Sequence, residues 1–201
     1  MTEKYTMKAT LVDKASSDWV KELFERSQTE AKMIPNLFRA MANAPEILQT
    51  YLDAYNNFAK HSGFSAAEQQ IIFLVISYEN GCDYCVAAHS TAAEFQAKVP
   101  QDTVDAIRND NPVPDQKMQT LIEFTREMLW SRGNPSPKSV EEFIHAGYQE
   151  KQILDLVLAI AAKTLSNYTN HLFQTPIDPI FKAREFKVIK FASRVLNYFK
   201  R

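Results

Sequence analysis

Ser65-Ala66-Ala67-Glu68-Gln69-Gln70-Ile71-Ile72-Phe73-Leu74-Val75-Ile76 is the stretch that decides the fold. Its second half is continuous and rich in β-branched residues, the best strand candidate in the chain. Its first half argues otherwise. A Ser hydroxyl can accept from the backbone N–H three residues on while the Glu there reaches back to the Ser N–H, so that two otherwise orphaned donors at a helix start are satisfied. The stretch therefore reads as a buried helix, and no other stretch alternates as a strand would. Elsewhere apolar residues recur at three- and four-residue spacing and only 4 Gly interrupt the 201 residues, which points to an all-α fold. Further helices are expected at about 17–31, 36–42, 45–61, 82–98, 101–109, 115–131, 137–145, 150–173 and 187–199. Two starts compete for the 137–145 helix: Ser136 with Pro137 in the first turn, and the capping box Ser139-Val140-Glu141-Glu142. Breaks at Asn111-Pro112-Val113-Pro114, Gly133-Asn134-Pro135-Ser136-Pro137 and Thr175-Pro176-Ile177-Asp178-Pro179 are too short to separate domains, so residues 1–201 are expected to form one.

An apolar fraction of 45% is that of a globular chain, and 23 Lys plus Arg against 24 Asp plus Glu leave a net charge of −1, a balance that implies no nucleic-acid partner. The first residues, Met1-Thr2-Glu3-Lys4-Tyr5-Thr6-Met7-Lys8, lack the apolar core of a signal peptide, and no apolar run reaches the roughly 20 residues of a membrane span. A cytoplasmic location is expected, where a lone pair of Cys is more often catalytic or metal-binding than a structural staple. There is also an internal echo. A shift of 82 residues places Glu68, Gln70, Ile71, Leu74, Val75 and His89 on Glu150, Gln152, Ile153, Leu156, Val157 and His171. A duplicated helical unit and chance similarity of two buried helices both account for it. Under duplication, Thr164 and Asn167 stand where the first copy has Cys82 and Cys85, and the chemistry belongs to the first copy.

That chemistry is in Asn80-Gly81-Cys82-Asp83-Tyr84-Cys85-Val86-Ala87-Ala88-His89. Asn-Gly is a helix-stop signal, so a new helix should open near Cys82, where free N–H groups and the positive end of the helix dipole favour a thiolate. Two intervening residues put the sulfurs within reach of a disulfide, and His89 falls between them in helical projection, a proton acceptor titrating near neutrality. Other readings stay open. The cysteines could be core packing, or Cys82, Cys85 and His89 with His171 could bind zinc. Covalent haem is excluded, because that motif needs His directly after the second Cys and Val86 is there. His61 and His145 fall at helix ends and read as solvated or capping residues.

These residues resemble the carboxymuconolactone decarboxylase family, in its alkylhydroperoxidase D-like, peroxidase-related branch. The likeness rests on the helix opening at Ser65-Ala66-Ala67-Glu68, on Asn80-Gly81-Cys82-Asp83-Tyr84-Cys85 with Ala87-Ala88-His89, and on Lys163-Thr164-Leu165-Ser166-Asn167-Tyr168-Thr169-Asn170-His171 followed by Thr175-Pro176-Ile177-Asp178, about residues 35–181 in all. It implies an alkylhydroperoxidase D-like helical fold with a duplicated core, assembled as a trimer or hexamer. It also implies a thiol-dependent peroxidase of antioxidant defence needing no cofactor. In that role Cys85 attacks a hydroperoxide, Cys82 resolves the sulfenic acid to a disulfide, His89 relays protons, and a lipoyl or thioredoxin-like protein dithiol is the reductant. The family's relay Glu would stand twelve residues before the first Cys, where this chain has Gln70, which cannot accept and release a proton at neutral pH. Glu79, three residues before Cys82, could turn inward across the Asn80-Gly81 break and replace it, or stay a solvated surface carboxylate, the commoner fate of such a Glu. Two other functions compete: a lactone decarboxylase, for which no cationic cluster stands out, and a zinc-stabilised or redox-switched binding protein such as a holdase, which the loss of a relay acid would suit. The amphipathic stretch from Val188 to Phe199 is expected to pack against a neighbouring subunit rather than a membrane surface.

Overall fold

The computed structural model describes residues 4–182 and Arg184. They form α1 (Asp18–Ala31), α2 (Asn36–Met41), α3 (Pro45–His61), α4 (Ala66–Glu79), α5 (Asp83–Phe95), α6 (Gln101–Arg108), α7 (Gln116–Trp130), α8 (Pro137–His145) and α9 (Glu150–Phe173), then a 3-10 turn, Pro179–Lys182. No strand occurs among the described residues, so the all-α expectation holds. The helix expected at 187–199 lies outside the described residues.

The β-branched stretch is α4, and its start is the expected capping box: the Glu68 N–H donates to Ser65 Oγ at 3.3 Å while Ser65 N–H donates to Glu68 Oε2 at 2.8 Å. Every residue from Ile71 to Ser77 is buried, so this part of α4 has no solvent face and serves as the central rod of the fold. Ile71, Leu74 and Val75 pack with α5, α6 and α7, whereas Ile72, Phe73 and Ile76 pack with α3, α7, α8 and α9. A third cluster joins α1, α2 and α3 to Cys82, Tyr84 and Cys85. Of the two starts that competed for α8, Ser136 with Pro137 is the one used, its hydroxyl accepting from Ser139 N–H at 3.2 Å.

The 82-residue echo is not accompanied by a repeat of local shape. The first segment breaks at Asn80-Gly81, whereas the corresponding Ala162-Lys163 continues α9 without interruption. Backbone conformation explains the difference, since Gly81 takes a φ of +64°, which a Lys would adopt only under strain.

Candidate active site

The break that ends α4 also aims the first cysteine. Gly81 N–H donates to Tyr78 O and Cys82 N–H to Ser77 O, both at 2.9 Å, the paired bonds of a Schellman stop. Cys82 is then already the N-cap of α5, its carbonyl accepting from Val86 N–H at 2.9 Å. Cys85 therefore lies in the first turn of α5, and both sulfurs belong to buried residues, 1% and 2% exposed. The residue between them is fixed as well. Tyr84 donates its hydroxyl proton to Asp178 and accepts from Leu37 N–H, while Asp178 also accepts from Asn36 N–H at 3.1 Å, capping α2 from 142 residues away. The Thr175-Pro176-Ile177-Asp178 segment is thus a strap across the cysteine turn.

The opposite wall comes from α9. Lys163, Ser166, Asn167 and Asn170, at i, i+3, i+4 and i+7, are all buried on its inner face. Asn170 Nδ2 donates to Cys85 Sγ at 3.2 Å and lies 3.8 Å from Cys82 Sγ, and Asn167 Oδ1 accepts from Asn80 Nδ2 at 2.8 Å. His89 is 7% exposed with both ring nitrogens engaged: Nδ1–H donates to Gln70 Oε1 at 3.0 Å, and Nε2 accepts from Lys163 Nζ at 2.8 Å. Its ring lies 5.0 Å from that of Phe73.

This arrangement separates the two thiols. Burial pushes Cys85 up, but the Cys82 S–H, the Lys163 charge and the Asn167 and Asn170 amides outweigh it and hold Cys85 down to about 5. Cys82 goes the other way, well above an ordinary thiol, because it donates to the Cys85 sulfur and is itself buried. His89 is pushed well below the usual imidazole range, first by burial and then by Lys163, so it is neutral. The site can therefore hold one thiolate and one protonated thiol side by side, the pairing that attack followed by disulfide closure requires.

The structure thus gathers Cys82, Cys85, His89 and Gln70 at one place, with His89 bonded to Gln70 and Lys163 rather than to a sulfur. Glu79 is not there. Its carboxylate accepts from Arg126 Nε at 2.8 Å, because the last turn of α4 points it at α7 before the chain reverses at Gly81. No group of three metal-ligating side chains occurs among the described residues, and His171 is turned to the Gly81 carbonyl at 3.3 Å. His145 Nδ1 binds the Glu141 carbonyl at its helix end. Lys163, Asn167 and Asn170 have no assigned role in the sequence reading. Their signal was polar side chains at i, i+4 and i+7 on a helix whose Leu154, Val157, Tyr168 and Leu172 are the exposed side.

Residues 45–127 match the carboxymuconolactone decarboxylase family. No curated protein matches the chain. Among solved structures, the fold is similar to an alkylhydroperoxidase AhpD core, an uncharacterized peroxidase-related protein from Ralstonia eutropha JMP134 (TM-score 0.73, 20% identity, covering 82% of this chain and 88% of that one). It is similar also to an uncharacterized peroxidase-related protein from Silicibacter sp. TM1040 (TM-score 0.72, 20% identity, 90% and 97% covered). A third is the debrominase Bmp8 in complex with 2,3,4-tribromopyrrole (TM-score 0.74, 14% identity, 92% and 100% covered). The stretch from 45 to 127, which carries both cysteines, Gln70 and His89, therefore matches the carboxymuconolactone decarboxylase family, and the chain has the fold shared by alkylhydroperoxidase AhpD-like structures.

Proposed function

We propose that the chain is a thiol-dependent peroxidase that reduces hydroperoxides through the Cys82–Cys85 dithiol. The observation that carries this reading is the pair of buried sulfurs under one amide, Asn170 Nδ2 at 3.2 Å from Cys85 Sγ and 3.8 Å from Cys82 Sγ, an environment that favours Cys85 as thiolate and Cys82 as thiol. Cys85 S⁻ attacks a peroxide oxygen, the O–O bond breaks, and the departing alkoxide takes up a proton to leave as an alcohol. Cys82 then attacks the Cys85 sulfenic acid, a sulfur–sulfur bond forms, and water departs. The sum is ROOH plus two thiols giving ROH, water and a disulfide. A lipoyl or thioredoxin-like protein dithiol reopens the disulfide by exchange, which suits a cytoplasmic setting. No helix among the described residues is long and apolar enough to cross a membrane.

His89 has a different part from the relay expected of it. With Nε2 occupied by Lys163 and the ring neutral, it takes no proton from a thiol and serves as an acceptor that fixes the lysine. Assembly into a homo-oligomer belongs to the same reading, supported by Leu154, Val157, Tyr168 and Leu172, which stand exposed in a row along α9.

The test is peroxide consumption with dihydrolipoamide or dithiothreitol as electron donor. Cys85→Ser is expected to abolish turnover. Cys82→Ser is expected to consume one equivalent and stop at a sulfenic acid that dimedone traps. Full turnover by Cys85→Ser, or a trapped sulfenic acid on Cys82 instead, would refute the assignment.

A further inference from the structure

Lys163 is 1% exposed, and no carboxylate is paired with it among the described residues. Its Nζ is held 2.8 Å from His89 Nε2 and 5.7 Å from the centroid of the Phe73 ring. A buried ammonium is unfavourable unless something near it carries the opposite charge. The titratable groups that interact with it are Cys82, the N-cap of α5, and Cys85 and His89 on α5; Tyr51 and Tyr55 on α3 reach the same cluster through Ser166 and Gln70, and the inner face of α9 adds none besides Lys163 itself. From α4 come the uncharged Gln70 and Phe73. Burial keeps both tyrosines protonated, Cys82 keeps its proton, and His89 is neutral. Cys85 is the one member of the cluster left to carry a negative charge.

We propose that Lys163 is the positioning residue and counter-ion of the Cys85 thiolate, standing in for the acid that Gln70 does not supply, and that this ion pair biases the couple toward the dithiol. The inference rests on the dithiol reading above. Its consequence is in the oxidised form. When two electrons pass from the sulfurs to the peroxide and the sulfur–sulfur bond closes, the anion is gone and the Cys82 proton has left with the product oxygen. The ammonium then faces a neutral disulfide and a neutral imidazole. Exchange with a reductant dithiol restores the anion: the dithiol is oxidised to its own disulfide, one of its two protons goes to Cys82 and the other to solvent, and Cys85 stays ionised beside Lys163. Reduction is therefore favoured, as it is wherever a reduced thiolate is stabilised.

Two measurements on Lys163→Met test it. In a Cys82→Ser background Cys85 is the only thiol, and its alkylation by iodoacetamide is followed against pH. Removing the lysine is expected to move the midpoint upward and to slow alkylation at pH 6 by about tenfold, with no change at pH 9, where the thiol is ionised either way. In the two-cysteine protein equilibrated with glutathione, the same substitution is expected to stabilise the disulfide by about tenfold in its exchange constant. A purely structural lysine would move neither. An acid-side midpoint that Lys163→Met leaves in place overturns the role of Lys163 and spares the dithiol reading. A Cys85 that reacts only in the ordinary thiol range in the parent overturns that reading itself. If Lys163→Met does not fold, the Lys163 13Cε resonance of the parent decides: it is expected to shift when the dithiol is oxidised, and indifference to oxidation refutes the pairing.

Discussion

Replacing Asn170 by Leu removes the amide that spans both sulfurs and little else. Its Nδ2 is 3.2 Å from Cys85 Sγ, its Oδ1 has no partner, and the residue is 4% exposed, so a Leu, with the same branching and number of side-chain heavy atoms, leaves neither a cavity nor a stranded donor. A hydrogen bond to a charged acceptor contributes about 1.5–3 kcal/mol, and one pKa unit is about 1.4 kcal/mol, so losing it raises the Cys85 thiol by roughly 1–2 units. Starting from about 5, the thiol moves to roughly 6–7. At pH 6 the thiolate fraction then falls from about nine-tenths to between about one-half and one-tenth. Iodoacetamide alkylation at pH 6, in the Cys82→Ser background, where a hydroxyl takes over the thiol's donation to Cys85 Sγ, should slow by about 2- to 9-fold while the rate at pH 9 is unchanged. The global stability should shift by less than about 1 kcal/mol, since an unsatisfied buried oxygen goes along with the bond. An alkylation profile that superimposes on the parent's would show that the amide does not hold the thiolate, and the proposed assignment of Cys85 would lose one of its supports.

Two other predictions address charge elsewhere. Glu79→Gln should leave peroxide turnover within about twofold and cost about 1 kcal/mol in urea unfolding, because the partly buried Arg126 keeps Asp110; a tenfold loss of turnover would return Glu79 to the reaction. The reduced protein should lose stability in acid faster than the disulfide form. Cys85 is held below its unfolded value of about 9, so its contribution is complete above that pH and is lost as pH falls through about 5, a difference of roughly 2 kcal/mol between pH 7 and pH 5 that parallel denaturant melts of the two forms would read; equal slopes would refute it.

How much of this was legible depended on where the information resided. Helix boundaries were carried by local signals, the Ser65 capping box, the Asn80-Gly81 stop and Pro137 in a first turn, and these survive into the structure because each satisfies backbone groups in its immediate neighbourhood. Cys82, Cys85 and His89 were legible for the same reason, being a spacing within one turn of one helix. Glu79 was misplaced because its direction is set by a nonlocal partner: Arg126 is 47 residues away, and nothing in Ser77-Tyr78-Glu79 announces it. Lys163 and the two asparagines were hidden by a reversed rule. Polar residues at helical spacing ordinarily mark the solvent side, and here they mark the inner one.

That reversal has an energetic meaning. The first half of α9 turns Leu156, Ala159 and Ala162 inward, and it packs into the same cluster as Phe58, Phe73 and Phe124. The second half buries Lys163, Ser166, Asn167 and Asn170, which contribute little apolar area and impose desolvation, so packing alone would not orient it this way. What turns it inward is specific partnership: Lys163 on His89, Asn167 on Asn80, Asn170 on both sulfurs, Ser166 on Tyr51. Each of these partners belongs to another helix or to the turn that aims Cys82. The orientation of α9 and the ionisation of Cys85 are therefore one problem, because protonating or oxidising the sulfur weakens the contacts that hold the polar face in. In the proposed cycle the end of α9 would feel every turnover, whereas the apolar middle of α4, Ile71 to Ile76, would not.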